Sequence, residues 1–180
     1  TLARHVVAQV KLHGVLLGET LMALQRERVE GVSVALADCA RHVAALQVDR
    51  LLDAAPTHGR TEADRLRNAC LLQLLYATGM RVSELVSLPL SSAKGDPRML
   101  LIKGKGGKER MVPLSPPART ALHHWLTVRE AEEDTKRAEG KPASPFLFPS
   151  RGKSGHLTRH AFYVLIKDLA VFVRFSEHSS

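Results

Sequence analysis

The stretch Ala77-Thr78-Gly79-Met80-Arg81-Val82-Ser83-Glu84-Leu85 decides how this chain folds, because it joins the end of one helix to the start of another with a cation at the joint. Upstream, Thr61-Glu62-Ala63-Asp64 predicts an N-cap whose carboxylate at the fourth position returns a hydrogen bond. It opens a helix with apolar residues at Leu66, Ala69, Cys70, Leu72, Leu75 and Tyr76. Gly79 ends that helix, since glycine accepts the left-handed conformation of a helix C-terminus without a Cβ penalty. Arg81 therefore stands at a tight corner before the short helix begun by Val82-Ser83-Glu84-Leu85. Core packing around the corner fixes the origin of its side chain.

Downstream, two short apolar runs, Met99-Leu100-Leu101-Ile102 and Met111-Val112-Pro113-Leu114, flank Gly104-Lys105-Gly106-Gly107-Lys108. This pattern predicts a β-hairpin whose Gly-Gly pair supplies positive φ, with Lys105 near its tip. Ser115-Pro116-Pro117 predicts an N-cap followed by proline in the first turn, launching a helix through Leu122, Trp125 and Leu126. Residues Glu130 to Lys141 read as a charged, exposed helix end or loop, and Pro142 with Pro145 marks a break. Phe146-Leu147-Phe148-Pro149-Ser150 reads as a brief buried segment. After it, Phe162, Leu165, Ile166, Leu169, Ala170 and Val173 fall at helical spacing on one apolar face.

The bulk numbers bound the answer. With 180 residues and 44% apolar content, the chain can hold one domain of ordinary size, or one domain with a partial neighbour, and can build a core. Its 26 basic and 18 acidic residues leave a net charge of +8, which favours a polyanionic partner through counterion release. Many basic proteins bind no nucleic acid, and an anionic membrane surface attracts them too, so charge alone selects no partner. No run of eighteen apolar residues occurs, and Arg4, His5, Lys11 and His13 interrupt the apolar start, so neither a membrane span nor a signal peptide is expected. Cys39 and Cys70 lack Cys-x-x-Cys spacing and read as buried thiols in a reducing, cytoplasmic compartment. Cys39 and His42 supply only two of the four ligands a structural zinc site needs.

The Ala-Thr-Gly-x-Arg-x-Ser-Glu-Leu string, followed by Ile102-Lys103-Gly104-Lys105-Gly106-Gly107-Lys108-Glu109-Arg110-Met111-Val112-Pro113-Leu114, resembles the first half of a tyrosine recombinase catalytic domain. Within that family it is most similar to the bacterial Xer-type recombinases and phage integrases. The resemblance implies a mainly α, α+β fold with a small antiparallel sheet, and DNA cleavage and rejoining through a phosphotyrosine intermediate without a cofactor or metal. By that resemblance Arg81 is the first of two phosphate-binding arginines and Lys105 the catalytic lysine. Lys103, Lys108 and Arg110 are then phosphate or groove contacts, and double-stranded DNA is the partner, on which full-length relatives assemble as tetramers.

The chemistry fits these residue types. Charge builds on the non-bridging oxygens as a phosphodiester breaks, and a planar guanidinium meets two of them with parallel hydrogen bonds. Lysine, if its pKa is lowered, protonates the leaving 5′ oxygen. The plainer reading of Arg81 is an ion pair with Glu84 three residues on, worth about half a kcal/mol; the two are compatible, because a carboxylate partner orients a guanidinium. A nucleotide-binding loop fails on spacing, since Gly104 to Glu109 lacks Gly-x-x-x-x-Gly-Lys-Ser/Thr and no helix follows. A serine hydrolase lacks its Gly-x-Ser-x-Gly elbow.

The family also requires a His-x-x-Arg motif, a later His or Trp, and a tyrosine nucleophile. His156-Leu157-Thr158-Arg159-His160 matches His-x-x-Arg literally. Its position soon after Phe148-Pro149-Ser150 aligns it instead with a Thr-Arg pair opening the helix that carries Phe162-Tyr163 and Ile166-Lys167. On that alignment Thr158 and Arg159 are DNA-backbone contacts, Tyr163 and Tyr76 are residues beside or within the core, and no nucleophile is found. Residues 1–46 are then a remnant or divergent N-terminal segment, 47–171 a partial catalytic domain without its C-terminal helices, and 172–180 a tail outside the family. Three outcomes follow: a recombinase fragment that binds DNA without cutting it, a non-catalytic DNA-binding relative, or a decayed sequence whose apolar faces around Phe162 and Leu165 lose their cover.

Overall fold

A computed structural model of the chain describes residues 48–94, 98–104 and 107–176. The expectations for residues 1–46, for Cys39 and His42, for Lys105 and for residues 177–180 lie outside the described residues. The described elements run α1 (residues 48–54), α2 (Glu62–Thr78), α3 (Val82–Val86), a 3-10 turn (Leu90–Ala93), β1 (Met99–Lys103), β2 (Glu109–Pro113), α4 (Pro116–Ala138) and α5 (Arg159–Ser176). The mainly helical fold with one small antiparallel sheet is the one the sequence predicts.

Helix α2 is the central element. Cys70, Leu71, Leu72, Leu74 and Leu75 are all buried, so the helix is covered on most of its circumference and not on a single stripe. Helix α4 packs along it, burying Ala118, Leu122 and Trp125, and the Trp125 indole N–H donates to the Leu147 carbonyl at 3.0 Å. Thr61 caps α2 by accepting from the Asp64 amide at 3.1 Å, but the Asp64 carboxylate accepts from the Thr61 hydroxyl at 3.0 Å and pairs with Arg67 at 3.0 Å. The returned bond therefore reaches the hydroxyl. Ser115 is the N-cap residue of α4, yet its side chain makes no capping bond, and the prolines that follow leave few amides to cap.

The hairpin pairs Met99 with Pro113, Ile102 with Arg110 and Lys103 with Glu109. Leu100, Ile102 and Val112 point into the core, while Glu109, Arg110 and Met111 face solvent. β1 lies against the 3-10 turn, and the segment around Leu147 closes the same edge, its amide donating to the Leu88 carbonyl at 2.8 Å. Among the described residues no helix is long and apolar enough to cross a membrane.

Three expectations need correction. The run from Glu130 to Lys141 is not wholly an exposed end: α4 continues to Ala138, and Glu133 is buried because it pairs with the fully enclosed Arg129. Tyr163 is not beside the core but 38% exposed on α5, with the Lys167 ammonium 5.1 Å from its ring centre. The apolar face around Phe162 keeps its cover, since Phe162, Ile166 and Leu169 are buried and Leu165 is partly so.

Candidate nucleic-acid interface

The corner that carries Arg81 is built by three local devices. Gly79 adopts φ 59° and donates its amide to the Leu75 carbonyl at 3.0 Å, ending α2 in the left-handed region. Thr78 donates to the Leu74 carbonyl at 2.7 Å and accepts from the Met80 amide at 3.3 Å. Met80 is fully buried, which pins the chain immediately before Arg81. Arg81 is the N-cap residue of α3, and its side chain is 65% exposed.

Glu84 organises the site. One carboxylate oxygen accepts from the Arg81 amide at 2.9 Å and from Arg110 Nη2 at 2.8 Å; the other accepts from Arg81 Nη1 at 3.1 Å. Its side chain is only 9% exposed. Burial pushes the Glu84 carboxyl upward, but hydrogen bonds from Arg110 and from the Arg81 backbone and side chain, with the Arg110 charge, outweigh it and hold the group below its ordinary range. Two guanidinium groups thus share one carboxylate and face solvent together, leaving the trio net cationic.

The hairpin reaches this corner through its glycine. A Cβ built on Gly104 would lie 3.3 Å from Arg110 Nη1 and 3.8 Å from a Glu84 oxygen. Gly104 donates its amide to the Lys108 carbonyl at 2.8 Å, and Gly107 takes φ 74° to turn the chain back. Lys103 pairs with Glu109 across the strands at 2.9 Å; both are well exposed, so the pair is worth well under 1 kcal/mol. Lys108 is exposed. Arg81, Glu84, Arg110 and the ends of the hairpin strands therefore belong to one cluster.

Thr158 and Arg159 form a separate group. The Thr158 hydroxyl accepts from the Ala161 amide at 3.1 Å, so Thr158 caps α5 and exposed Arg159 begins it. The His156 ring sits 4.8 Å from the Phe146 ring, edge to face, and its Nδ1 lies 2.8 Å from the Leu157 carbonyl. That ring is packed into a turn bridged by Pro149 and His156. Helix α5 packs on α3, the helix whose N-cap is Arg81.

Sequence reasoning treated Arg110 as a groove contact and missed its bond to Glu84, 26 residues away. Local spacing carries no signal for it, because the pair forms only when the hairpin folds back on α3. The fully enclosed Arg129 was also missed. Its partners are Glu133 at 2.8 Å, Glu132 at 3.4 Å and the Phe146 carbonyl at 3.3 Å. Glu133 in turn accepts from the Ser144 amide at 3.2 Å, so this network fastens α4 to the segment before Phe148.

A helical domain with a cationic helix corner set against a β-hairpin defines a class that comparison identifies. The phage integrase family model matches residues 41–178, and the chain belongs to that family. It is 54% identical over 106 residues to a tyrosine recombinase XerD of Bradyrhizobium diazoefficiens, covering 59% of this chain and 33% of that protein. It is 44% identical over 125 residues to a tyrosine recombinase XerD of Caulobacter vibrioides, covering 69% of this chain and 39% of the relative. Among solved structures, it resembles the XerH site-specific recombinase bound to difH substrate in a pre-cleavage complex, with TM-score 0.55 and 26% identity over 71% of this chain and 35% of that one. The XerA recombinase shares the fold at TM-score 0.55. The chain thus spans between a third and two fifths of the length of the curated relatives named here.

Proposed function

We propose that this chain carries the phosphate-binding part of a site-specific DNA recombinase, residues 47–171 being the catalytic-domain portion. Double-stranded DNA is its partner and the cytoplasm its compartment. In the complete assembly, tetrameric on DNA, Arg81 holds the non-bridging oxygens of the scissile phosphate and stabilises the charge that builds there as the phosphorus becomes five-coordinate. Lys105 protonates the leaving 5′ oxygen, so strand cleavage needs no metal. Lys103, Lys108 and Arg110 on the hairpin, with Thr158 and Arg159 at the start of α5, make the surrounding backbone contacts. Glu84 supports Arg81.

The observation that carries this reading is the shared carboxylate of Glu84. It brings the Arg81 corner and the Arg110 strand together at 3.1 and 2.8 Å, leaving a two-arginine, net cationic surface beside the hairpin. Neither described tyrosine is assigned as nucleophile: Tyr76 packs partly against the core, and Tyr163 lies beneath the Lys167 ammonium.

The test is duplex binding by fluorescence anisotropy across a salt series, with a suicide recombination substrate run on a denaturing gel. Binding that weakens with salt, and a slope smaller by about 0.9 in Arg81→Ala, is the expected result, since one phosphate contact releases about that many counterions. The gel should show no covalent adduct with this chain. An Arg81→Ala protein that binds with the same affinity and slope overturns the assignment, and an adduct overturns the absence of a nucleophile.

A further inference from the structure

We infer that Arg110 is a positioning residue: through Glu84 it clamps the outer half of the β-hairpin to the Arg81 corner. The clamp is a property of the free chain. What it delivers, a lysine held at the phosphate, rests on the function proposed above.

The hairpin is unevenly anchored. Its inner half is held by Leu100, Ile102 and Val112, which are buried against the core. Beyond Ile102 that support ends, because Lys103, Gly107, Lys108, Glu109 and Arg110 are exposed or nearly so. The Lys103–Glu109 pair ties one strand of the hairpin to the other and so resists fraying, but it cannot fix where the hairpin points. Arg110 can. Its backbone is paired with buried Ile102 and its guanidinium leaves the hairpin to meet Glu84 on α3 at 2.8 Å.

Charge and shape both favour a clamp over a casual surface pair. Glu84 is nearly enclosed, so its carboxylate has lost water that it must replace with donors, and Arg110 supplies one beside the two from Arg81. Gly104 leaves the room: a Cβ there would sit 3.3 Å from Arg110 Nη1, close enough that the guanidinium would have to shift by a few tenths of an ångström. The same glycine adjoins Lys105. A lysine on a swinging hairpin would sample many positions, and the effective concentration of its ammonium at one phosphate would fall accordingly. Holding the strand at Arg110 fixes the base of that swing, while the carboxylate that holds it also orients Arg81.

The experiment is hydrogen–deuterium exchange of the free full chain, read at residues 99–113 with α2 as the internal reference. Arg110→Ala should speed exchange of the hairpin about tenfold while α2 stays protected, as expected for local opening after loss of a charge-assisted bond. In a Glu84→Ala background, which removes the acceptor, the same substitution should change it by less than about twofold, because the two groups act as one unit. Arg110→Lys should fall between, since an ammonium reaches the carboxylate as a point charge without the planar fork. Unchanged hairpin exchange in Arg110→Ala, or an equal increase in both backgrounds, overturns the clamp. Should Arg110→Ala unfold the chain, Arg110→Lys decides: faster exchange confined to the hairpin supports the clamp, and no change ends it. The result is independent of DNA, so failure of Arg81→Ala to weaken duplex binding would sink the proposed function without touching this outcome.

Discussion

Replacing Glu84 by alanine removes three interactions at once, and their sizes follow from the geometry. The bond from the Arg81 amide is the return half of a helix cap, 2.9 Å long, and is worth about 1 kcal/mol. The ion pairs to Arg81 and Arg110 are shorter than 3.2 Å, but their partners are 65% and 42% exposed, and solvent screening reduces each to about 0.5 kcal/mol. Glu84→Ala should therefore destabilise the fold by about 2 kcal/mol, a fall of about 1 M in the urea midpoint for a slope near 2 kcal/mol/M. Glu84→Gln keeps an oxygen for the Arg81 amide and should lose about half as much. The pH dependence has a definite sign. The folded Glu84 carboxyl lies below its ordinary value of 4.5, so its contribution is fully present above that value and is lost as pH falls through the folded one. The difference between wild type and Glu84→Gln should accordingly be present at pH 7 and shrink in strong acid. A loss below about 0.5 kcal/mol in Glu84→Ala would refute the claim that this carboxylate carries the corner.

Two further substitutions test the supports behind the site. Glu133→Ala strands the fully enclosed Arg129, with Glu132 at 3.4 Å and the neutral Phe146 carbonyl at 3.3 Å in partial compensation, and should cost about 3 kcal/mol by urea unfolding; Arg129→Met combined with Glu133→Leu should recover most of it, and a single-mutant loss under about 1 kcal/mol would contradict the network. Gly79→Ala forces a Cβ into φ 59° and should lower stability by about 1 kcal/mol, measured as a shift of the thermal midpoint, with no shift if the corner relaxes.

Burial of Cys70 has a chemical consequence too. The thiol is enclosed in α2 and desolvation raises its pKa well above normal, so it is a packing group with little thiolate at neutral pH. That agrees with the expectation drawn from its apolar neighbours.

Much of the fold was legible because its signals are local. Thr61 and Gly79 bracket α2 through side-chain and left-handed caps that depend on a few residues of sequence. The hairpin announces itself through two apolar runs around glycines, and Phe162, Ile166 and Leu169 lie on one face because the helical repeat puts them there. The place of Arg81, immediately after a helix stop, was legible the same way, whereas its role came only from the family resemblance. Contacts that depend on how elements pack were out of reach. Arg129 sits among charged residues and reads as solvated, yet closure of the 144–147 segment over α4 enclosed it, and only then did Glu133 become its necessary partner. Tyr163 differs from its neighbour Phe162 by one step around α5, which is enough to turn one ring outward and the other into the core. Sequence by itself determined which cations stand at a helix corner and on a hairpin. Whether Arg81 and Arg110 would meet was decided only when the hairpin folded onto α3, because a bond spanning 26 residues has no local cause and forms where two separately packed elements meet.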